Sequence, residues 1–285
     1  MTHDSARARV LVTVPELQAT LAVGAAAGPQ LLDVRWQLTE PQGAGFERFL
    51  AGHLPGARFV DLETVLTGPT SDPRLGRHPL PDAQRLAVGL AEAGVDVQRP
   101  LVVYDEPGSF AAGRAWWVLR DAGLDARVLD GGITAWLAAG GSLESGAAEP
   151  VEPVLQPAGL TLVHLPQLDA DEVASFDGIV VDVRAPQRFR GEVEPLDPRA
   201  GHLPGAVNRP VGDFFAADGT LPDAATLTGL LALPSGVPVA VYCGSGVSAA
   251  QVVLAAATLG VTCALYPPSW SGWSSDPSRP VELGA

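Results

Sequence analysis

Gly52-His53-Leu54-Pro55-Gly56-Ala57 occurs a second time, residue for residue, as Gly201-His202-Leu203-Pro204-Gly205-Ala206, 149 positions later. The same offset relates Leu31-Leu32-Asp33-Val34-Arg35 to Val180-Val181-Asp182-Val183-Arg184. Two matches at one spacing mark an internal repeat, and that repeat sets the architecture before any motif is interpreted. A third pair, Leu101-Val102-Val103-Tyr104-Asp105 and Val239-Ala240-Val241-Tyr242-Cys243, is offset by 138, so the second copy has a shorter middle.

In each copy the apolar run ending in Asp-Val-Arg and the later run ending at Tyr104 or Tyr242 read as buried strands. Residues 84–93 and 112–122 have helical periodicity in the first copy, as do 249–259 in the second, where Gly260 provides a stop. Strands alternating with helices predict an α/β fold of two tandem domains, each a mostly parallel sheet flanked by helices. The expected division is an N-terminal domain at 1–143, a Gly-, Ala-, Glu- and Pro-rich linker at 144–157, and a C-terminal domain at 158–285.

Composition narrows the function. A net charge of −14 and no basic cluster exclude nucleic acid as an expected partner. All 18 basic residues are Arg, so Schiff-base chemistry and a P-loop lysine are absent by inventory. No stretch of about 18 uncharged apolar residues suggests a membrane span, and the N-terminus lacks the apolar core of a secretory signal. The chain reads as cytoplasmic, with Cys243 and Cys263 as reduced thiols.

Cys243 stands where the run Pro238 to Tyr242 gives way to Cys243-Gly244-Ser245-Gly246-Val247-Ser248, with a helix expected from Ala249. That is the strand edge at which open α/β sheets bind ligands. The two glycines let backbone N–H groups converge into an anion nest at a helix start, and sulfur is the group placed to occupy it. The bland alternative is a cysteine serving as a small buried hydrophobe. That reading suits Cys263, inside the strand-like Val261-Thr262-Cys263-Ala264-Leu265, better than it suits Cys243. A cysteine phosphatase needs Arg where Ala249 stands, and a structural zinc site needs further Cys or His ligands close by, so neither chemistry nor any metal is expected.

The tandem repeat, the two Gly-His-Leu-Pro-Gly-Ala motifs and the Cys-Gly-Ser-Gly-Val-Ser loop resemble two-domain rhodanese-like sulfurtransferases over nearly the whole chain. The resemblance implies that only the second domain keeps the nucleophile, and Asp105 at the matching position of the first agrees with that. It further implies transfer of a sulfane sulfur from a small-molecule donor, through a covalent cysteine persulfide and without another cofactor, to a thiol, cyanide or thioredoxin-like acceptor. Donors in the family are 3-mercaptopyruvate and thiosulfate. The loop is similar to the mercaptopyruvate type, Cys-Gly-Ser-Gly-Val-Thr, with Ser248 for Thr, and thiosulfate, whose enzymes carry Cys-Arg-Lys-Gly-Val-Thr, is the alternative donor.

The same resemblance implies a relay of Ser245, His78 and Asp61, with the latter two contributed by the first domain, so that the site lies between domains. Arg188 matches a substrate-carboxylate arginine, Arg199 is the nearest candidate for a second, and Gly244, Gly246, Val247 and Ser248 complete the substrate loop. His53 and His202, present in both copies, read as structural, and Trp270 and Trp273 as packing or pocket wall. A competing class, a persulfide carrier or redox sensor, would have no use for an acid–base relay.

Overall fold

A computed structural model describes residues 3–22, 28–148, 160–163, 165–234 and 236–284. In the first half, strands β1 (Leu11–Val12), β2 (Gln30–Asp33), β3 (Arg58–Phe59), β4 (Leu101–Tyr104) and β5 (Ala126–Leu129) form one parallel sheet in the order β1-β5-β4-β2-β3. In the second, β6 (Ile179–Asp182), β7 (Val207–Asn208), β8 (Val239–Tyr242) and β9 (Ala264–Leu265) form a parallel sheet in the order β7-β6-β8-β9. The orders β3-β2-β4-β5 and β7-β6-β8-β9 are the same arrangement twice. The edge that β1 occupies in the first sheet is taken in the second by a parallel bridge from Gln167 to Leu265. The expected α/β fold with two parallel sheets is therefore present.

Among the described residues six helices accompany the first sheet: α1 (His3–Val10), α2 (Val14–Ala22), α3 (Ala44–Ala51), α4 (Ala83–Glu92), α5 (Ala111–Asp121) and α6 (Gly132–Ala138). Five accompany the second: α7 (Ala170–Ala174), α8 (Pro186–Phe189), α9 (Ala224–Leu231), α10 (Val247–Thr258) and α11 (Ser269–Ser275). Asp82 starts α4 by accepting from Arg85 N at 2.7 Å. Helix α10 begins at Val247, two residues before the expected start, because Gly246 takes a left-handed φ of 82° and serves as its cap. Val247 and Ser248 are thus helical rather than loop residues.

The repeated motif folds alike in both copies. Tyr104 OH accepts from Leu54 N at 3.1 Å and donates to the buried Asp33 at 2.9 Å, and Tyr242 OH accepts from Leu203 N at 3.1 Å. Asp33 and Asp182 are each forked by the arginine two residues on, Arg35 and Arg184. His53 and His202 hydrogen-bond through Nδ1 to Phe49 O and Phe189 O, both at 2.8 Å, and their rings stack on those phenylalanines. They are structural, as expected. His53 also bridges Glu144 and His202 bridges Glu282, so Glu144, expected at the head of the linker, is pinned to the first domain. Of that linker, 149–157 lie outside the described residues.

The two halves share one core. Helices α5 and α10, each following the corresponding strand of its sheet, cross so closely that a Cβ on Gly113 would lie 2.6 Å from Gln251 Cα. One continuous cluster joins Leu32, Val103 and Trp117 to Val181, Val241 and Leu254. Helix α1 adds a clamp, with Arg7 donating to Leu221 O and Pro222 O, each at 2.7 Å, and pairing with Asp130.

Candidate active site

Strand β8 ends at Tyr242 and delivers Cys243 to the start of α10. Gly246 N donates to Cys243 Sγ at 3.1 Å. Among the described residues this is the one backbone N–H on the sulfur, fewer than a fully closed nest would supply. Gly246 has to be glycine for two reasons: its φ is left-handed, and a Cβ there would lie 2.5 Å from Pro267 O. The loop is stitched to the start of α11, with Trp270 N donating to Cys243 O and Ser271 N to Gly244 O, both at 2.9 Å. Cys243 N in turn donates to Ser269 Oγ at 3.1 Å. Ser269 is fully buried with φ of 53°, a strained conformation for a non-glycine residue, and its Oγ lies 3.9 Å from Cys243 Sγ. Sequence reasoning missed Ser269, because no local pattern signals a strained serine 26 residues from its partner. Trp270 and Trp273 are packing residues, each donating its indole N–H to a backbone carbonyl.

Ser245 Oγ lies 2.8 Å from His78 Nδ1, across the interface between the two halves. The far ring nitrogen of His78, Nε2, lies 3.3 Å from Glu63 Oε1, which also accepts from Trp36 Nε1 at 2.9 Å. The hydrogen bond from His78 holds the Glu63 carboxyl below the usual carboxylate range, and an ionised Glu63 fixes the proton on Nε2, leaving Nδ1 to accept from the serine hydroxyl. Trp36 meets the imidazole edge-on with centroids 5.2 Å apart. Asp61 is not on the histidine. Its Oδ1 accepts from Thr64 N at 2.8 Å and Thr64 Oγ1 at 3.1 Å, capping the turn that carries Glu63. The third member of the constellation is Glu63, two residues further along. An aspartate just after the Gly-His-Leu-Pro-Gly-Ala turn and a glutamate two positions later both look eligible, and only the turn geometry separates them.

A cavity of about 260 Å³ opens over the cysteine, walled by Trp36, Arg77 and Phe110 from the first half and by Arg188, Cys243 and Ser245 from the second. Arg188 reaches it as expected, but its guanidinium is also paired with Glu194 at 2.7 Å and Asp197 at 3.1 Å. Arg199 does not reach it. Each of its three nitrogens donates to a carbonyl, those of Trp273, Ser274, Asp276 and Arg279, so it caps the C-terminal end of α11 instead of lining the cavity. A second cation comes from Arg77, which pairs with Asp197 and places Nη2 3.1 Å from where a Gly244 Cβ would be, beside Arg188 Nη1 at 3.4 Å. Sequence reasoning passed over Arg77, although it directly precedes His78.

Beneath the loop lies Arg114 of α5, fully buried and without a carboxylate partner among the described residues. It donates to His78 O at 2.8 Å and Pro79 O at 2.9 Å, and its Nη1 is 3.5 Å from Gly246 O. Burial pushes this arginine down to about 10, while the negative charge available at Cys243 opposes the shift, so it stays a cation near neutrality. It braces both the relay histidine and the cysteine loop. Cys263, just ahead of β9, is buried with its thiol pushed up to about 12 by desolvation, which suits a packing residue.

SseB of Mycobacterium tuberculosis, named as a candidate thiosulfate sulfurtransferase, is 44% identical over 98% of this chain and 99% of its own. A Pseudomonas aeruginosa protein named as a candidate 3-mercaptopyruvate sulfurtransferase is 41% identical over 96% and 98%. The crystal structure of the 3-mercaptopyruvate enzyme SseA from Escherichia coli superposes with a TM-score of 0.77 at 33% identity, covering 91% of this chain and 98% of that one. The rhodanese-like domain matches residues 13–139 and again 166–276, so the chain belongs to the rhodanese-like family and carries the domain twice.

Proposed function

We propose that the chain is a sulfurtransferase that takes a sulfane sulfur from 3-mercaptopyruvate, holds it as a persulfide on Cys243, and passes it to a thiol, cyanide or thioredoxin-like acceptor. The observation that carries this reading is the Ser245–His78–Glu63 chain beside Cys243, with Oγ to Nδ1 at 2.8 Å and Nε2 to carboxylate at 3.3 Å. The Cys243 thiolate attacks the donor sulfur, the carbon–sulfur bond breaks, and its electron pair leaves on the three-carbon fragment as the enolate of pyruvate. The proton that Cys243 loses on ionising is held on His78, whose cationic form Glu63 stabilises, and Ser245 relays it from Nδ1 to the enolate. An acceptor thiolate then attacks the outer sulfur and releases Cys243 as thiolate, so the persulfide is the only carrier needed and no further cofactor enters. A passive carrier or redox sensor would gain nothing from the relay. Among the described residues no helix is long and apolar enough to cross a membrane, and a thiol-dependent cycle suits the reducing cytoplasm.

One observation favours thiosulfate as the second donor. Gly244 and Ser245 bring no charge, yet Arg77 and Arg188 converge over Gly244, so the pocket is not short of cations for a dianion. With thiosulfate, sulfite leaves and no enolate awaits a proton. Measuring kcat/KM for both donors side by side decides between them, and the expected outcome is preference for 3-mercaptopyruvate. Incubation with donor should add one sulfur atom's mass, removable by reductant, to the wild type and to Cys263→Ser but not to Cys243→Ser. Near-normal turnover by Cys243→Ser would sink the persulfide scheme.

A further inference from the structure

We infer that the first half keeps a second binding site, a cavity over Asp105 that takes a small organic cation with a planar apolar body, its charged head on the Asp105 carboxylate and its body against Phe110 and Phe215. The inference does not depend on the sulfur-transfer reading, because it concerns the counterpart of the catalytic pocket and not that pocket itself. Helices α5 and α10 cross at Gly113 and Gln251, which are equivalent positions of the two copies, offset by 138 like Asp105 and Cys243. The crossing therefore sets the two strand-to-helix loops in equivalent places, and each loop faces a cavity completed by the other half. The cavity over Cys243 is completed by Trp36 and Arg77. A larger one, of about 350 Å³, lies over Asp105 and is completed by Gly212, Phe215 and Leu221. Gly212 stands 149 residues after Glu63, so the relay carboxylate has no counterpart here and its space is left open.

The walls of this cavity carry three acidic residues, Asp105, Glu106 and Asp130, and no basic one. Glu106 is paired with Arg48 and Asp130 with Arg7. Asp105 has no ion pair among the described residues, and its Oδ2 accepts from Ala112 N in the first turn of α5 at 2.9 Å. The helix start that faces the sulfur in the second half is thus already filled by a carboxylate in the first, and what the site lacks is a cation. Burial pushes that carboxyl up to about 7, aided by the negative charge of Glu106 and Asp33, and a cationic ligand would relieve it. Gln251 offers a second acceptor: it lines the cavity, is 7% exposed, and its buried Oε1 has no hydrogen-bond partner. Phe110, held at a φ of 61° that is strained for a bulky residue, packs its ring 5.8 Å from that of Phe215 and forms an aromatic wall. Acceptors beside aromatic rings suit an N–H-bearing cation on a flat apolar body.

The test titrates benzamidine, a flat aromatic amidinium, into the full-length reduced protein by calorimetry at about pH 8, where Asp105 is ionised, with benzoate as the anion of the same shape. Benzamidine should bind the wild type with a Kd of about 0.1–1 mM, the range for a ligand of its size, and benzoate at least about 10-fold more weakly. Phe110 lines both cavities, so the discriminating variants are confined to one of them. Asp105→Asn should weaken benzamidine by about 10- to 100-fold, the range for charge-assisted hydrogen bonds. Gly212→Leu, at a position where a Cβ meets nothing within 4 Å, should fill the cavity without disturbing the fold and weaken benzamidine by about 10-fold or more. Cys243→Ser should leave the affinity unchanged. No saturable binding to the wild type, benzoate binding as tightly as benzamidine, or affinity within about twofold of wild type in either Asp105→Asn or Gly212→Leu overturns the assignment. Affinity lost in Cys243→Ser would put the probe in the catalytic pocket and overturn it as well.

Discussion

Replacing Glu63 with Gln keeps the shape of the relay and removes its charge. At 3.3 Å from His78 Nε2 and an effective dielectric of about 20, a full charge on each partner would interact by roughly 5 kcal/mol. Glu63 is 37% exposed, so solvent screening reduces the useful part to about 1–2 kcal/mol. That energy acts on the imidazolium that holds the proton Ser245 relays to the enolate, which corresponds to a fall in kcat of about 5- to 30-fold. Asp61→Asn makes the opposite comparison. It weakens a turn cap made to Thr64 N and Oγ1, costs about 0.5–1 kcal/mol of stability, and leaves kcat within about twofold. Initial rates with 3-mercaptopyruvate for both variants, beside their thermal melts, separate the two residues. A larger loss of kcat in Asp61→Asn than in Glu63→Gln, at equal melting temperature, would refute the relay as drawn.

Gly113→Ala forces a Cβ to within 2.6 Å of Gln251 Cα, and the overpacking of α5 on α10 should cost about 1–3 kcal/mol, read as a melting temperature lower by about 3–10 °C. Arg199→Met should lower stability by about 1–3 kcal/mol, because four carbonyls lose their donor, while KM for either donor stays at the wild-type value; a raised KM at unchanged stability would return Arg199 to the substrate site. Asp105, the counterpart of Cys243, has its carboxyl pushed up to about 7 by burial. A carboxyl whose folded value exceeds its unfolded one, about 3.9, contributes stability that is full below the unfolded value and lost as pH rises through about 7. Urea unfolding of the wild type should therefore weaken from pH 5 to pH 8 by more than that of Asp105→Asn.

The fold was legible because duplication prints the same apolar runs and turns twice, and parallel strands buried on both faces leave an unmistakable apolar signature. Cys243 stood out as the candidate nucleophile for a related reason: a cysteine between a strand and two glycines occupies a position that packing alone would not favour. His78 was reached only through the family resemblance, and the residue behind it came out as Asp61 instead of Glu63, since a tight turn decides which of two nearby carboxylates faces the ring. Arg199 was expected at the substrate pocket because it lies near Arg188 in sequence, whereas its donors go to the end of α11 and the cavity over Cys243 is lined by Arg77 from the other half. Ser269 and Arg114 left no trace in the sequence, because what defines them is a partner far away along the chain.

The shared core between α5 and α10 makes turnover a gauge of docking between the two halves. Ser245 rides on the loop that leads into α10, and His78 is held through its carbonyl by Arg114 of α5. Any solvent, temperature or substitution that slides one helix along the other parts the serine from the histidine while both sheets remain intact. Such a protein would keep its circular dichroism and lose its chemistry, so catalytic rate reports the fit between the halves earlier than a spectroscopic melt does.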